Sequence, residues 1–112
     1  METRNILTEK PSKSHIFVFG SVLYKSDPSD IDILIVYDKT ECRPQTAFHD
    51  HEKIIRGIEG LFGLPADVTL LTNEEEQAAT FAKKVSGIEF ESDSFRANPR
   101  LQRIVAKGGH FR

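Results

Sequence analysis

The sequence has little cysteine, no long apolar segment and almost no net charge. Its single cysteine, Cys42, cannot form an internal disulfide, and the charged stretch METRNILTEKPSK is unlike a signal peptide, so we expect a cytoplasmic protein. The longest apolar runs fall far short of the roughly 20 residues that a membrane helix requires, so no membrane span is expected. A formal net charge of −2 excludes a uniformly basic nucleic-acid-binding protein.

What the chain does have is the size and composition of one globular domain. It contains 112 residues, of which 38% are hydrophobic and 29% are charged, and this length is enough for one core but not for two. We predict a single domain over residues 1–112, with its core at about 14–87 and a basic C-terminal appendix at about 91–112. A domain of this size offers an open cleft rather than a deep pocket.

Hydrophobic periodicity predicts strands that alternate with helices. Short runs of apolar and β-branched residues predict strands at 14–19, 31–37 and 67–71, followed by a shorter one at 88–90. This alternation is typical of the α/β fold class, in which strands and helices form separate layers.

The helices are predicted from apolar spacing and from capping residues. A stripe with three- and four-residue spacing predicts a continuous helix over 45–62, and His51 lies on this stripe. A capping box from Thr72 to Glu75 begins a helix that ends near Gly87. A short helix is predicted soon after Gly20. A final helix begins at Asn98-Pro99, an N-cap followed by proline, and ends at Gly108.

Carboxylates stand at the start of two predicted strands. Asp32 lies in an otherwise apolar strand, and burying an ionised carboxylate costs several kcal/mol unless a partner compensates it. Asp30 shares its face at roughly 6.6 Å between α-carbons, with the strand's isoleucines on the opposite face. Asp67 opens the next strand. If these strands are neighbours, the three carboxylates converge, and such oxygen ligands suit two Mg²⁺ or Mn²⁺ ions.

A glycine and a serine follow the first strand, in the sequence Phe19-Gly20-Ser21. A glycine there lets a phosphate approach the backbone, and the following amides can bind it. Together with Asp30-Ile31-Asp32 and Asp67, these residues resemble the DNA polymerase β-like nucleotidyltransferase superfamily over about residues 14–72. The small stand-alone members of that superfamily, some of which act as antitoxins, are closest in size.

The resemblance implies a nucleotidyltransferase-like fold, with a small mixed sheet of three to four strands flanked by helices. It also implies an enzyme that uses two metal ions and transfers a nucleoside monophosphate, AMP if the substrate is ATP, from an NTP to a hydroxyl. Asp30, Asp32 and Asp67 would be the catalytic and metal-binding residues, with Asp67 helping to activate the acceptor. Gly20 and Ser21 would bind the β- and γ-phosphates.

The loop between serine and carboxylates departs from the superfamily pattern. It is short, and Leu23-Tyr24-Lys25 replaces the usual Ala-Arg-Gly. We assign Lys25 and Ser29 in this loop to nucleotide binding as well. A lysine here is often only solvated, so its contact with phosphate is a hypothesis.

We expect the acceptor to come from outside a chain this short. The resemblance favours a helical partner protein, as in toxin–antitoxin pairs, or a second copy of the chain. The alternative function is a binding module of the same fold that docks on its partner with weak or no transferase activity. A small-molecule transferase is disfavoured because no acceptor-binding domain is present.

Two other residue groups have competing interpretations. Cys42, His49 and His51 suggest zinc, but two histidines two positions apart on a helix point in nearly opposite directions. Basic residues spaced by three and four would align on one helix, where they either form a solvated face or contact RNA, a nucleotide or an acidic partner. These residues are Arg96, Arg100, Arg103 and Lys107.

Overall fold

The computed structural model describes residues 6–109, with side chains described up to residue 106. The strands are β1 (His15–Phe19), β2 (Ile31–Tyr37), β3 (Ala66–Thr72) and β4 (Ile88–Glu89). They form one sheet in the order β3-β2-β1-β4. β1 is antiparallel to β2 and to β4, whereas β2 and β3 are parallel. The predicted α/β class with a small mixed sheet is confirmed.

The helices are α1 (Ala47–Asp50), α2 (Glu52–Phe62), α3 (Asn73–Ala79), α4 (Phe81–Lys84), α5 (Asp93–Ala97) and α6 (Pro99–Gly109). Single 3-10 turns occupy Leu7–Glu9, Gly20–Leu23 and Pro44–Thr46. The turn at Gly20–Leu23 is the short helix that the sequence predicts after β1. Within residues 6–109, no helix combines the length and the hydropathy needed to cross a bilayer.

The main hydrophobic core lies on one face of the sheet. Ile31, Ile33 and Ile35 of β2 share this face, as their two-residue spacing predicts. The helix α2 covers the face with an apolar stripe. Its buried residues are Ile54, Ile55, Ile58, Leu61 and Phe62.

The core also includes residues outside the range predicted for it, 14–87. Ile6 belongs to the same cluster, as do Phe90, Phe95 and Leu101 from the C-terminal segment. The ring of Phe95 packs edge-to-face on Phe90, with ring centroids 4.8 Å apart, and on Phe62 at 6.3 Å. The contact between Phe95 and Phe62 joins residues 33 positions apart, so periodicity within one segment does not reveal it.

The helix predicted over 45–62 is interrupted at His51, and this is a correction to the sequence analysis. The φ and ψ angles of His51 are −107° and 4°, and its side chain is fully buried. Its Nδ1–H donates to the Ala47 carbonyl oxygen at 2.7 Å. Nε2 is left to accept a hydrogen bond from the Ser14 hydroxyl at 2.6 Å. Phe48, which lies on the predicted apolar stripe, is 44% exposed.

The next predicted helix is also divided. The capping box of Thr72 and Glu75 is present as predicted. However, Thr80 adopts a left-handed conformation with φ 46°, which ends α3. The Glu76 carboxylate accepts hydrogen bonds from the amides of Phe81 and Ala82, at 3.0 and 3.2 Å, and so caps α4. The bend allows Phe81 to pack edge-to-face on Phe19 of β1, with ring centroids 5.5 Å apart.

The C-terminal segment contains a helix that the sequence analysis missed. Helix α5 begins after Ser92, whose hydroxyl accepts a hydrogen bond from the Phe95 amide at 3.2 Å. Helix α6 begins at Pro99 as predicted, with the Asn98 side chain accepting from the Leu101 amide at 3.0 Å. It extends to Gly109 rather than ending at Gly108.

Candidate functional site

The sheet register brings the ends of three strands together. Phe19, the last residue of β1, lies opposite Asp32 of β2, and Asp32 lies opposite Asp67 of β3. Neighbouring strands are about 4.8 Å apart, and residues directly opposite each other present their side chains on the same face. Gly20 and Ser21 continue directly from Phe19. The glycine-serine turn and two of the carboxylates therefore meet at one edge of the sheet.

Gly20 and Asp32 are in direct contact at this edge. The backbone of Gly20 has φ 81°, a conformation that residues with a Cβ rarely adopt. A Cβ atom at this position would also lie only 2.0 Å from Oδ2 of Asp32. Glycine is required here both for the turn and for space, because the Asp32 carboxylate occupies the volume that any other side chain would enter.

Negative charge at this site has no partner within the described part of the chain. No hydrogen bond or ion pair in residues 6–106 involves the side chain of Asp30, Asp32 or Asp67. Burial, followed by repulsion from Asp30 and Asp67, raises the pKa of the Asp32 carboxyl. The three carboxylates are thus close enough to influence one another without being neutralised.

The chemistry of these donors fits a hard divalent cation, whose ligands are carboxylate oxygens. The three carboxylates nevertheless lie farther apart than the ligands of a formed metal site. Among the described side chains, no group of three or more His, Cys, Asp or Glu residues is close enough to hold a metal ion. The residues fit the ion in type, and a bound cation would have to draw them together.

The raised pKa of Asp32 predicts that this residue destabilises the protein at neutral pH. Where a carboxyl binds its proton more readily in the folded state than in the unfolded state, the protein loses stability as pH rises through the folded pKa. We expect Asp32→Asn to melt above the parent at pH 7 without divalent metal. The difference should shrink as pH falls toward the ordinary aspartate value, near 4. Thermal melts from pH 7 to pH 4 test this, with the exposed Asp93→Asn as control. A variant less stable than the parent at pH 7 would contradict the prediction.

Asp30 lies immediately before β2, as the predicted strand over 31–37 implies. The amide of Ile31 donates to the carbonyl oxygen of Pro65 at 2.9 Å, which ties the beginnings of β2 and β3 together. Asp30 keeps its influence on Asp32 from this position, since its charge contributes to the raised pKa of Asp32.

The turn after Gly20 leaves polar side chains available. The amides of Tyr24 and Lys25 donate to the carbonyl oxygen of Ser21, at 3.1 and 2.7 Å, and this closes the turn. The Ser21 hydroxyl and the side chains of Lys25 and Ser29 make no hydrogen bond to any other described residue. Lys25 and Ser29 are exposed, and Ser21 is half-buried. All three are free to contact a ligand.

The predicted basic stripe is divided, which corrects the single helix face expected from its spacing. Arg96 belongs to α5, and its Nη2 lies 3.6 Å from the carboxylate of Glu91. Asn98 breaks the helix with ψ 108°, so Arg100 and Arg103 belong to α6 and do not continue the line of Arg96. Lys107 lies beyond the described side chains. Arg96, Arg100 and Arg103 therefore do not lie on one continuous helix, and an RNA contact by these residues stays a prediction.

Sequence reasoning missed Glu91, which is buried without a hydrogen bond to either carboxylate oxygen. Its backbone is left-handed, with φ 67°. A glutamate after a strand gives no signal of burial, because the burial depends on packing of the later helices. The loose ion pair with Arg96 is its only electrostatic partner among the described residues.

The histidines near Cys42 do not form a zinc site in the described chain. His51 is bonded to Ser14 and Ala47, while His49 is exposed and lies 3.4 Å from Glu52. Cys42 is buried in a small cluster with Tyr37 and Ala47.

An open cleft of about 660 Å³ beside α1 and α2 contains none of the predicted catalytic residues. It is lined by Glu9, His49, Asp50, Glu52, Lys53 and Arg56.

Comparison with known proteins identifies the family. No curated protein matches the sequence. A solved crystal structure of the toxin-antitoxin MntA-HpeT mutant aligns at 12% identity with a TM-score of 0.46, covering 99% of this chain and 89% of that chain. The model of the nucleotidyltransferase domain family matches residues 1–95. This match spans most of the 112 residues and includes the glycine-serine turn and all three carboxylates, so the chain belongs to the nucleotidyltransferase domain family.

Proposed function

We propose that this chain is a metal-dependent nucleotidyltransferase that moves a nucleoside monophosphate from an NTP to a hydroxyl. ATP is the first substrate to test. Family membership supports the reaction class. The observation that carries the proposal is the strand register, which places the end of β1 opposite Asp32 and Asp32 opposite Asp67. This register joins the glycine-serine turn to acidic side chains that have no other partner among the described residues.

The glycine-serine turn would bind the β- and γ-phosphates. Gly20 lets phosphate approach the backbone, and the Ser21 hydroxyl, which has no partner among the described residues, would donate to a phosphate oxygen. Lys25 would neutralise phosphate charge, and Ser29 would donate a further hydrogen bond. Both side chains are exposed and without a partner in the described chain, so ligand binding would displace no internal contact.

The carboxylates divide into two roles. Asp30 and Asp32 would hold Mg²⁺ or Mn²⁺, and the bound ions would neutralise charge on the triphosphate. Asp67 would accept the proton of the attacking hydroxyl. The acceptor oxygen forms a bond to the α-phosphorus, the bond from the α-phosphorus to the bridging oxygen breaks, and pyrophosphate leaves. The chain's own contribution is positioning and proton acceptance.

The acceptor would be supplied by another molecule. The core of this domain is filled by its sheet and helices, and the carboxylates lie at a sheet edge rather than in an enclosed pocket. Such an edge admits a hydroxyl carried on a protein surface. We propose a helical partner protein as the carrier, with a second copy of this chain as the other candidate.

The test is transfer of label from α-labelled ATP to a co-purified partner in the presence of Mg²⁺. We expect the parent to label the partner, and an Asp30→Ala/Asp32→Ala double variant to lose at least 100-fold of the rate, since positioning and charge neutralisation supply most of the catalysis. Asp93→Asn, an exposed carboxylate on α5, is the matched control and should label normally. Equal labelling by the double variant would contradict the proposal.

Thermal stabilisation by Mg²⁺ provides a readout independent of the acceptor. A ligand that binds only the folded state raises its melting temperature. Mg²⁺ together with a non-hydrolysable ATP analogue should stabilise the parent but not the double variant. If neither protein is stabilised or labels the partner, yet both bind it, the chain acts as a docking module of this fold and the transferase proposal is wrong.

A further inference from the structure

The C-terminal helix contacts the turn that follows Gly20. The Arg100 guanidinium of α6, through Nη1, donates a hydrogen bond to the carbonyl oxygen of Lys25. These two residues are 75 positions apart in the sequence. This is the only hydrogen bond in the described chain that links α6 to the Gly20–Lys25 segment.

The position of Arg100 on its helix is fixed by its neighbours. The next residue, Leu101, is fully buried in the core, and its amide is capped by the Asn98 side chain at 3.0 Å. The amide of Gln102 donates to the Asn98 carbonyl oxygen at 3.1 Å. The first turn of α6 is therefore rigidly seated, and the base of the Arg100 side chain with it.

The Gly20–Lys25 segment packs on the core through Val22 and Leu23, whereas its end at Tyr24 and Lys25 is exposed. It is closed by the amides of Tyr24 and Lys25, which both bond to the Ser21 carbonyl oxygen. Tyr24 is 69% exposed, and only Val22 of the turn is fully buried. A hydrogen bond from a charged donor to the last carbonyl of this segment contributes more than a neutral one. It holds the end of the turn against a helix that is itself packed in the core.

We propose that Arg100 is a positioning residue that orders the Gly20–Lys25 segment. Nucleotide binding at this segment would then depend on the docking of α6. The proposal rests on the function proposed above. Arg100 lies outside residues 1–95, the part of the chain matched by the family model.

Amide hydrogen exchange of the full chain tests the positioning directly. The Tyr24 and Lys25 amides, which bond to Ser21, report on opening of the turn. In Arg100→Ala we expect them to exchange roughly tenfold faster, the change that loss of one charge-assisted hydrogen bond produces. Arg100→Lys keeps a donor and should recover most of the protection. Arg103→Ala removes the same charge from an exposed site on α6 and should leave exchange unchanged.

Nucleotide binding gives the second readout. For Arg100→Ala we expect the affinity for an ATP analogue with Mg²⁺ to fall roughly tenfold, with kcat changed less than KM. Unchanged exchange at Tyr24 and Lys25 in Arg100→Ala would overturn the positioning role whether or not the protein binds nucleotide. A parent that binds no nucleotide would instead overturn the proposed function while leaving the exchange result intact. Equal losses in Arg100→Ala and Arg103→Ala would indicate a charge effect and contradict the proposal.

Discussion

Replacement of Gly20 by alanine should severely impair the proposed nucleotidyl transfer while leaving the protein folded. The substitution costs about 1–2 kcal/mol for the left-handed backbone. Its Cβ would lie 2.0 Å from Oδ2 of Asp32, so the carboxylate has to move. A displacement of about 1 Å at a reacting centre can cost roughly 100-fold in rate. We therefore expect activity to fall by at least about 100-fold, measured as label transfer at saturating ATP.

Gly63→Ala is the matched control for this prediction. Gly63 is an exposed residue that ends α2 with φ 68°, so alanine there meets a similar backbone strain. We expect Gly20→Ala to lose at least as much stability as Gly63→Ala in urea unfolding, and activity to be lost only in Gly20→Ala. Equal activity in the two variants would show that the close approach of Gly20 and Asp32 is not needed for activity.

Phe95→Ala should have the largest effect on stability. Phe95 is fully buried and packs on both Phe62 and Phe90. Removing such a side chain leaves a cavity as well as losing buried apolar area, at a cost of about 3–5 kcal/mol. Small domains have only about 5–15 kcal/mol of stability in total. Urea unfolding followed by circular dichroism measures the loss.

The control for this second prediction is Phe48→Ala. Phe48 is 44% exposed on α1, and its removal should cost less than about 1 kcal/mol. If Phe95→Ala unfolded at the same urea concentration as the parent, the C-terminal segment would not be part of the core. The result therefore also decides whether α5 and α6 are integral to the domain.

The strands were predictable because each carries its own signal. Ile31–Tyr37 is continuously apolar except for Asp32, and burial on both faces follows from this composition alone. The carboxylates were found for the same reason, as polar residues where an apolar pattern leads one to expect none. Their proximity could not be read from the sequence, since it depends on which strands pair and in which register.

The helix boundaries were less predictable because the breaks depend on tertiary partners. The break at His51 accompanies its hydrogen bond to Ser14, which lies 37 positions away. The break at Thr80 serves the contact between Phe81 and Phe19. The missed helix α5 is short and takes its stability from Phe95 in the core. In each case periodicity describes a single segment, while the helix boundary depends on contacts with another segment.

The mixed sheet also determines how the site is assembled during folding. β1 and β2 are adjacent in sequence and antiparallel. Only the short segment between Gly20 and Asp32 therefore has to close to bring these two residues together. Asp67 reaches them only through the parallel pairing of β2 and β3, after the chain has crossed over through α2. Loop closure costs more entropy as the intervening chain lengthens. Asp67, which we propose accepts the proton of the attacking hydroxyl, therefore requires closure of the longer loop. Its placement also depends on α2, the crossover helix that packs on the core.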